Sequence, residues 1–180
     1  EQFGVNLSLR IDKADGFEER ITGRLGVEYQ SGNARFFVSG GEGFKLPSFY
    51  ALGHALVGNA DLKPETSRNV EAGVEWQGEK SEVSVSAFRS DYDNLINFDP
   101  MIFRLVNESD VRSEGMEFAA KFKPSALASI AVNATYVDVM IEGGGSLLQR
   151  PDWRLGFNAQ WQLAEGWSAT ADWIYVGDLL

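Results

Sequence analysis

The chain has 180 residues, 44% hydrophobic and 23% charged, which suits one folded domain and excludes a disordered chain. Sixteen basic against 26 acidic residues give a formal net charge of -10, which argues against a nucleic-acid backbone as partner. With no cysteine, disulfides, Cys-based metal sites and thiol nucleophiles are excluded, and 19 glycines with 12% aromatic residues point to an all-β chain rich in turns.

In chain order, apolar residues recur at period two in nine segments. The first three are Phe3 to Ile11, Ile21 to Tyr29 and Ala34 to Gly40. Next comes "RNVEAGVEW", where Val70, Ala72, Val74 and Trp76 oppose Glu71, Gly73 and Glu75. Val83 to Ala87 is shorter. In "EGMEFAAKF", Met116, Phe118, Ala120 and Phe122 oppose Glu117 and Lys121. In "ASIAVNATY", Ile130, Val132, Ala134 and Tyr136 oppose Ser129, Asn133 and Thr135. "DWRLGFNAQWQL" alternates without a break, setting Trp153, Leu155, Phe157, Ala159, Trp161 and Leu163 against Asp152, Arg154, Gly156, Asn158, Gln160 and Gln162. "WSATADWIYV" closes the series with Trp167, Ala169, Ala171, Trp173 and Tyr175. A helix would mix these sets around its circumference, so nine strands are predicted.

The connections alternate in length. Short turns are expected near 30–34, 77–81, 123–126 and 164–166, and longer loops near 12–18, 42–66, 92–101 and 139–151. In an up-and-down sheet this puts all short turns at one end and all long loops at the other, as in a membrane β-barrel. Tyr29, Trp76, Phe122, Trp161 and Trp167 cluster near the short turns, and Tyr136, Trp153, Trp173 and Tyr175 near the long loops, as aromatic rings do at the two interfaces of a bilayer. A ten-residue strand is ~33 Å long and, tilted by ~45°, crosses roughly 24 Å of membrane. A soluble barrel or sandwich with its apolar face turned inwards shows the same alternation and stays open as the alternative, a ligand-binding module. No apolar run approaches the ~18 residues of a membrane helix. The start "EQFGVNLSLR" carries no signal-peptide pattern, so the chain is expected either not to be exported or to begin downstream of its true start.

Segment 41–76 carries more. "GEGFKLPSFYAL" followed by "GNADLKPETSRNVEAGVEW" resembles the barrel of TonB-dependent outer-membrane receptors. The matching residues are Gly43, Phe44, Lys45, Pro47 and Ser48, then Asn59, Leu62, Lys63, Pro64, Glu65 and Ser67, then Glu71 and Gly73. "SAFRSDYDNLI", "VNESDVRSEGMEFAAKF" with Asn107, Gly115 and Glu117, and "LLQRPDWRLGFNAQW" continue the resemblance in order over almost the whole chain. It implies an antiparallel up-and-down transmembrane β-barrel in the bacterial outer membrane, with lipid as one partner. It also implies uptake of a large scarce ligand, a metal chelate of the iron-siderophore type or a cobalamin, driven by the TonB complex through a plug domain. Such barrels hold about twenty-two strands. Residues 1–180 are therefore expected to be an incomplete barrel of about nine strands, carboxy-proximal and without its plug. A strand should end near Pro47, which cannot donate to a ladder, and the return should begin at Pro64. Glu71 and Glu75 should face a wet or plug-filled lumen.

A catalytic constellation is not found, so an enzyme is not expected, and neither is a cofactor. His54 is the sole histidine, and with no cysteine a zinc site is not expected. Asp91, Asp93 and Asn94 offer hard oxygens but lack the Gly and distal Glu of a calcium loop, so no metal is assigned. Asp12, Asp15, Glu18 and Glu19 read as solvated turn charge. "GGGSLL" at 143–148 lacks the Gly-Lys-Ser/Thr ending of a phosphate loop and reads as a loop tip. The ligand-contact candidates are the outer-loop residues Phe49, Tyr50, His54, Phe98 and Phe103, because aromatic and polar side chains suit a bulky ligand.

Overall fold

A computed structural model describes residues 1–107, 111–141 and 151–177. Its strands are β1 (Gln2–Asp12), β2 (Arg20–Ser31), β3 (Ala34–Lys45), β4 (Glu65–Gln77), β5 (Ser81–Asp93), β6 (Ile96–Asp99), β7 (Arg104–Asn107), β8 (Val111–Ser125), β9 (Ala128–Ile141), β10 (Trp153–Ala164) and β11 (Trp167–Val176). One short helix, α1 (Phe49–Gly53), lies between β3 and β4. Nine strands form a single sheet in the order β1-β2-β3-β4-β5-β8-β9-β10-β11, and β6 pairs with β7 in a separate hairpin. Every pairing is antiparallel, and each large-sheet strand lies beside its sequence neighbour once the hairpin is set aside, so the sheet is a simple meander. The nine sheet strands are those read from the sequence.

The alternation of connections holds as well. Two-residue gaps join β2 to β3, β8 to β9 and β10 to β11, and three residues join β4 to β5. Gly32 and Gly166 turn at φ +55° and +77°, a region that costs a side-chain-bearing residue free energy and glycine little. The longer connections all lie at the opposite end. The loop expected at 42–66 is shorter because β3 and β4 run on past the apolar alternation, and the connection expected at 92–101 is longer because it holds the β6–β7 hairpin. β3 ends at Lys45, two residues before Pro47, and β4 starts at Glu65, immediately after Pro64.

The register stacks the apolar sets across strands. Phe3 pairs with Tyr29, which pairs with Phe36, which pairs with Val74. Val85 pairs with Phe118, Phe118 with Ala134, Ala134 with Leu155 and Leu155 with Tyr175. This face is not covered. Phe3, Leu7 and Leu9 are 68–71% exposed, and Trp153, Phe157 and Trp161 stand outward with no second layer over them. Among the described residues no large side chain is fully buried. A soluble sandwich or barrel needs a dry interior, and this sheet has none, so the soluble alternative is overturned.

Aromatic side chains border the apolar band. Tyr29, Trp76, Phe122, Trp161 and Trp167 mark the short-turn side. On the other side Tyr136 and Trp153 meet at 4.9 Å between ring centres, and Trp173 and Tyr175 stack at 6.2 Å. Beyond that second girdle the outward face turns ionic. Arg89 pairs across strands with Glu114 and Glu114 with Asp138, and the next row runs Arg68, Asp91, Arg112. Asp91 takes both Arg89 and Arg112 at 2.9 Å, and Arg68 lies 3.5 Å from Glu42. Charge of this density marks where the strands leave hydrocarbon. It also engages Asp91, whose carboxylate pairs with two arginines.

Candidate functional site

The opposite face of the sheet is polar and carries the hollows. Reading across the register, one row runs Asn6, Gly26, Ser39, Glu71, Phe88, Gly115 and the next Gly4, Glu28, Phe37, Gly73, Ser86, Glu117. Glu71 and Glu117 thus lie on this wall together with Arg24, around one hollow with Asn69, Ser90 and Phe88. A larger hollow of about 540 Å³ lies nearer the short turns, between Arg35, Glu75, Lys121 and Asn133. Arg35 is clamped there by Glu75 at 2.6 Å and Glu28 at 2.9 Å, with its guanidinium 5.2 Å from the centre of the Phe37 ring. Neither Arg24 nor the Arg35 clamp was singled out from the sequence. The signal was their position opposite the apolar set in β2 and β3.

Glycine on this wall has a visible task. A Cβ at Gly73 would come within 2.6 Å of the Phe37 ring, and one at Gly115 within 2.8 Å of the Phe88 ring. Each ring belongs to the directly paired residue of the neighbouring strand. The absence of a side chain lets the ring lie against the sheet, which keeps the wall low and covers exposed backbone.

The long-loop end holds the predicted ligand residues. Phe49 and Tyr50 sit in α1 and not in open loop, because Ser48 caps the helix by accepting the Ala51 amide at 3.1 Å. Phe98 sits in β6 and not in loop, since 92–101 is the end of β5 followed by a hairpin. The short alternation of "INFD" and "RLVN" on either side of Pro100 was the signal for that hairpin. Tyr50 and His54 form one ring pair at 4.6 Å, and Phe98 and Phe103 form another, edge to face, at 5.2 Å. His54 uses Nδ1 locally, accepting the amides of Leu56 and Val57 at 3.3 Å each. Phe49 is 95% exposed, and the hairpin tip presents Met101, Ile102 and Phe103 to solvent. The predicted tip at 143–148 lies outside the described residues.

The two ring pairs lie on segments that are fastened together. The Leu105 amide donates to the Val57 carbonyl at 2.8 Å, and Asn59 Nδ2 donates to the Leu105 carbonyl at 2.9 Å. Asn107 accepts the Lys63 amide and donates back to the Lys63 carbonyl, at 2.8 and 3.0 Å. Glu65 accepts the Ile96 amide at 2.9 Å and takes Lys45 at 3.0 Å. Leu62 and Ala51 are among the few buried apolar residues. The Asn59, Leu62, Lys63, Pro64, Glu65 motif therefore anchors the loop, which composition alone did not reveal.

Comparison with known proteins decides the family. The family described as TonB dependent receptor-like, beta-barrel matches residues 1–179. The chain belongs to the TonB-dependent receptor barrel family. Vitamin B12 transporter BtuB of Vibrio vulnificus is 30% identical over 181 residues, covering 95% of this chain and 28% of that protein. Vitamin B12 transporter BtuB of Photobacterium profundum is 29% identical, covering 94% and 29%. The siderophore receptor PirA from Pseudomonas aeruginosa superposes with a TM-score of 0.81 at 26% identity, over 94% of this chain and 33% of that one. The fold is also that of the ferric enterobactin receptor PfeA from Pseudomonas aeruginosa, solved with enterobactin, at a TM-score of 0.83, 21% identity, 97% and 30% coverage. The chain thus spans about three tenths of the relatives it matches. As a TonB-dependent receptor barrel it is a bacterial outer-membrane protein, its apolar band turned to lipid and its polar wall to the lumen. By their names these relatives are transporters and receptors.

Proposed function

We propose that residues 1–180 are part of the barrel of an active-uptake receptor for a large scarce ligand of the iron-siderophore or cobalamin type. The barrel spans the outer membrane, presents its long-loop end for capture and lines a polar passage. Energy comes from the TonB complex acting on a plug domain outside this chain. It is a receptor and not an enzyme. The observation that carries the reading is the pair of ring clusters, Tyr50–His54 and Phe98–Phe103, at the end of a barrel wall whose lumen is polar and whose outer face is apolar. Flat aromatic faces suit a catecholate or a corrin, and a polar wall suits a hydrated cargo. The names of relatives support both ligand types, cobalamin for BtuB and a siderophore for PirA. The family match over 1–179 and the open edges at β1 and β11 support a single incomplete barrel domain, since an unpaired edge in hydrocarbon leaves backbone groups without partners.

The test uses the full-length protein. A strain lacking the gene should lose growth on one of two limiting nutrients, iron supplied as ferric enterobactin or cyanocobalamin. Purified receptor should bind the same compound. Normal growth on both, with no binding of either, would overturn the reading.

A further inference from the structure

The loop carrying Tyr50 and His54 and the hairpin carrying Phe98 and Phe103 are joined by an amide that imitates a β-ladder. At Pro64 the backbone ladder of the loop is interrupted, because proline has no N–H to give. Directly before it, Lys63 turns both of its backbone groups to one side chain. Asn107 Oδ1 accepts the Lys63 N–H at 2.8 Å, and Asn107 Nδ2 donates to the Lys63 carbonyl at 3.0 Å. The same Nδ2 donates to the Asn94 carbonyl at 2.7 Å, so Asn107 also ties the hairpin back to the residue at which β5 has just ended. Asn94 itself holds φ +58°, a left-handed turn that asparagine tolerates better than most residues. A carboxamide offers donor and acceptor side by side on one planar group, as a backbone amide does; a carboxylate keeps only the acceptor and an aliphatic group keeps neither.

A second latch sits further along the same seam. Asn59 Nδ2 donates to the Leu105 carbonyl while the Leu105 amide donates to Val57, and Arg104 Nε donates to the Gly58 carbonyl at 3.2 Å. The contacts between the loop and the hairpin bridge 44 to 48 residues of chain, so they are made by the fold and not by local turns.

We infer that Asn107 is a positioning residue for ligand capture: it seats the β3–β4 loop on the β6–β7 hairpin, so that the two ring pairs meet a ligand as one preorganised surface. This rests on the uptake reading above. A surface assembled beforehand binds more tightly than the same groups on independent loops, because ordering them is not charged against association.

The experiment compares wild type, Asn107→Asp and Asn107→Leu in the full-length receptor. Hydrogen exchange is followed at the Lys63 and Leu105 amides and at strand amides of β8 and β9. Binding of ferric enterobactin and cyanocobalamin is titrated in parallel. Asn107→Leu, which loses both donor and acceptor, should speed exchange at Lys63 and Leu105 and weaken binding of whichever probe wild type takes by about tenfold, and Asn107→Asp, which keeps the acceptor of the Lys63 amide, should do both to a smaller extent. Strand exchange and the unfolding temperature should stay as in wild type, which separates positioning from a general loss of structure. Unchanged exchange at Lys63 and Leu105 overturns the latch, whether or not a probe binds. Faster exchange with unaltered affinity overturns the positioning role and leaves the uptake reading intact. Wild type binding neither probe sinks the uptake reading and the positioning role with it.

Discussion

The ring of Phe88 lies against Gly115, its direct partner on the neighbouring strand, and a Cβ at Gly115 would stand 2.8 Å from that ring and collide with the backbone carbonyl of Tyr136. The Gly-x-Glu spacing of Gly115 and Glu117 thus has a steric meaning. Glycine makes room for a ring lying along the wall, and two residues on, the same face carries a charge into the lumen.

Gly115→Ala should lower stability by about 1–3 kcal/mol, the usual cost of overpacking a filled site. Because the Tyr136 carbonyl is backbone, removing the ring as well, in Gly115→Ala with Phe88→Ala, should recover only part of that loss. Gly53→Ala is the control, since nothing lies within 4 Å of a Cβ there. Thermal unfolding of the full-length receptor, followed by its shift in gel mobility, reads all three. Equal midpoints for Gly115→Ala and Gly53→Ala would refute the packing account.

Phe118 and Ser86 lie near mid-height on opposite faces, one row apart in the β5–β8 pairing. Phe118→Arg should cost about 2–4 kcal/mol for a charge in mid-membrane, and Ser86→Arg, facing the lumen beside Glu117, close to nothing. Urea-dependent folding into lipid vesicles measures the difference. The reverse order of the two variants would turn the sheet inside out.

Tyr50→Ala and Phe103→Ala each remove one member of a ring pair from the outer end. If those pairs take the ligand, each change should weaken binding by about tenfold, corresponding to ~1.4 kcal/mol. Trp161→Phe, at the other girdle, should leave affinity unaltered. Titration of the full-length receptor with ferric enterobactin and with cyanocobalamin supplies the comparison.

Arg35 is held between Glu28 and Glu75, yet its side chain is 37% exposed and the carboxylates 42% and 45%. Wet ion pairs contribute little, so Arg35→Met should lower stability by less than ~1 kcal/mol, and the loss should shrink further at high salt. Urea midpoints at low and high ionic strength check both statements. A loss of several kcal/mol that ignores salt would show the clamp to be dry.

Much of the fold was legible because the side-chain period of a strand is two. Once Trp153, Phe157 and Trp161 fall on one side and Asn158 and Gln160 on the other, the two solvents of the sheet are fixed residue by residue, and the alternation of short and long connections sets which ends lie together. Proline was equally plain: Pro47 and Pro64 bound the outer loop within two residues, since neither can donate to a ladder. What one dimension did not disclose are contacts set by which strand ends stand beside each other. Helix α1 depends on a five-residue capped turn too short to carry a period. The hairpin β6–β7 hides in two four-residue runs. Asn107 finds Lys63 44 residues away, and Arg35 finds Glu75 at a separation of 40, because β3 to β8 bring those positions level. Periodicity, a local property of the chain, determined which face each side chain takes. Register and loop docking, which depend on distant backbone meeting in space, decided which of those side chains touch and how the outer rings are held.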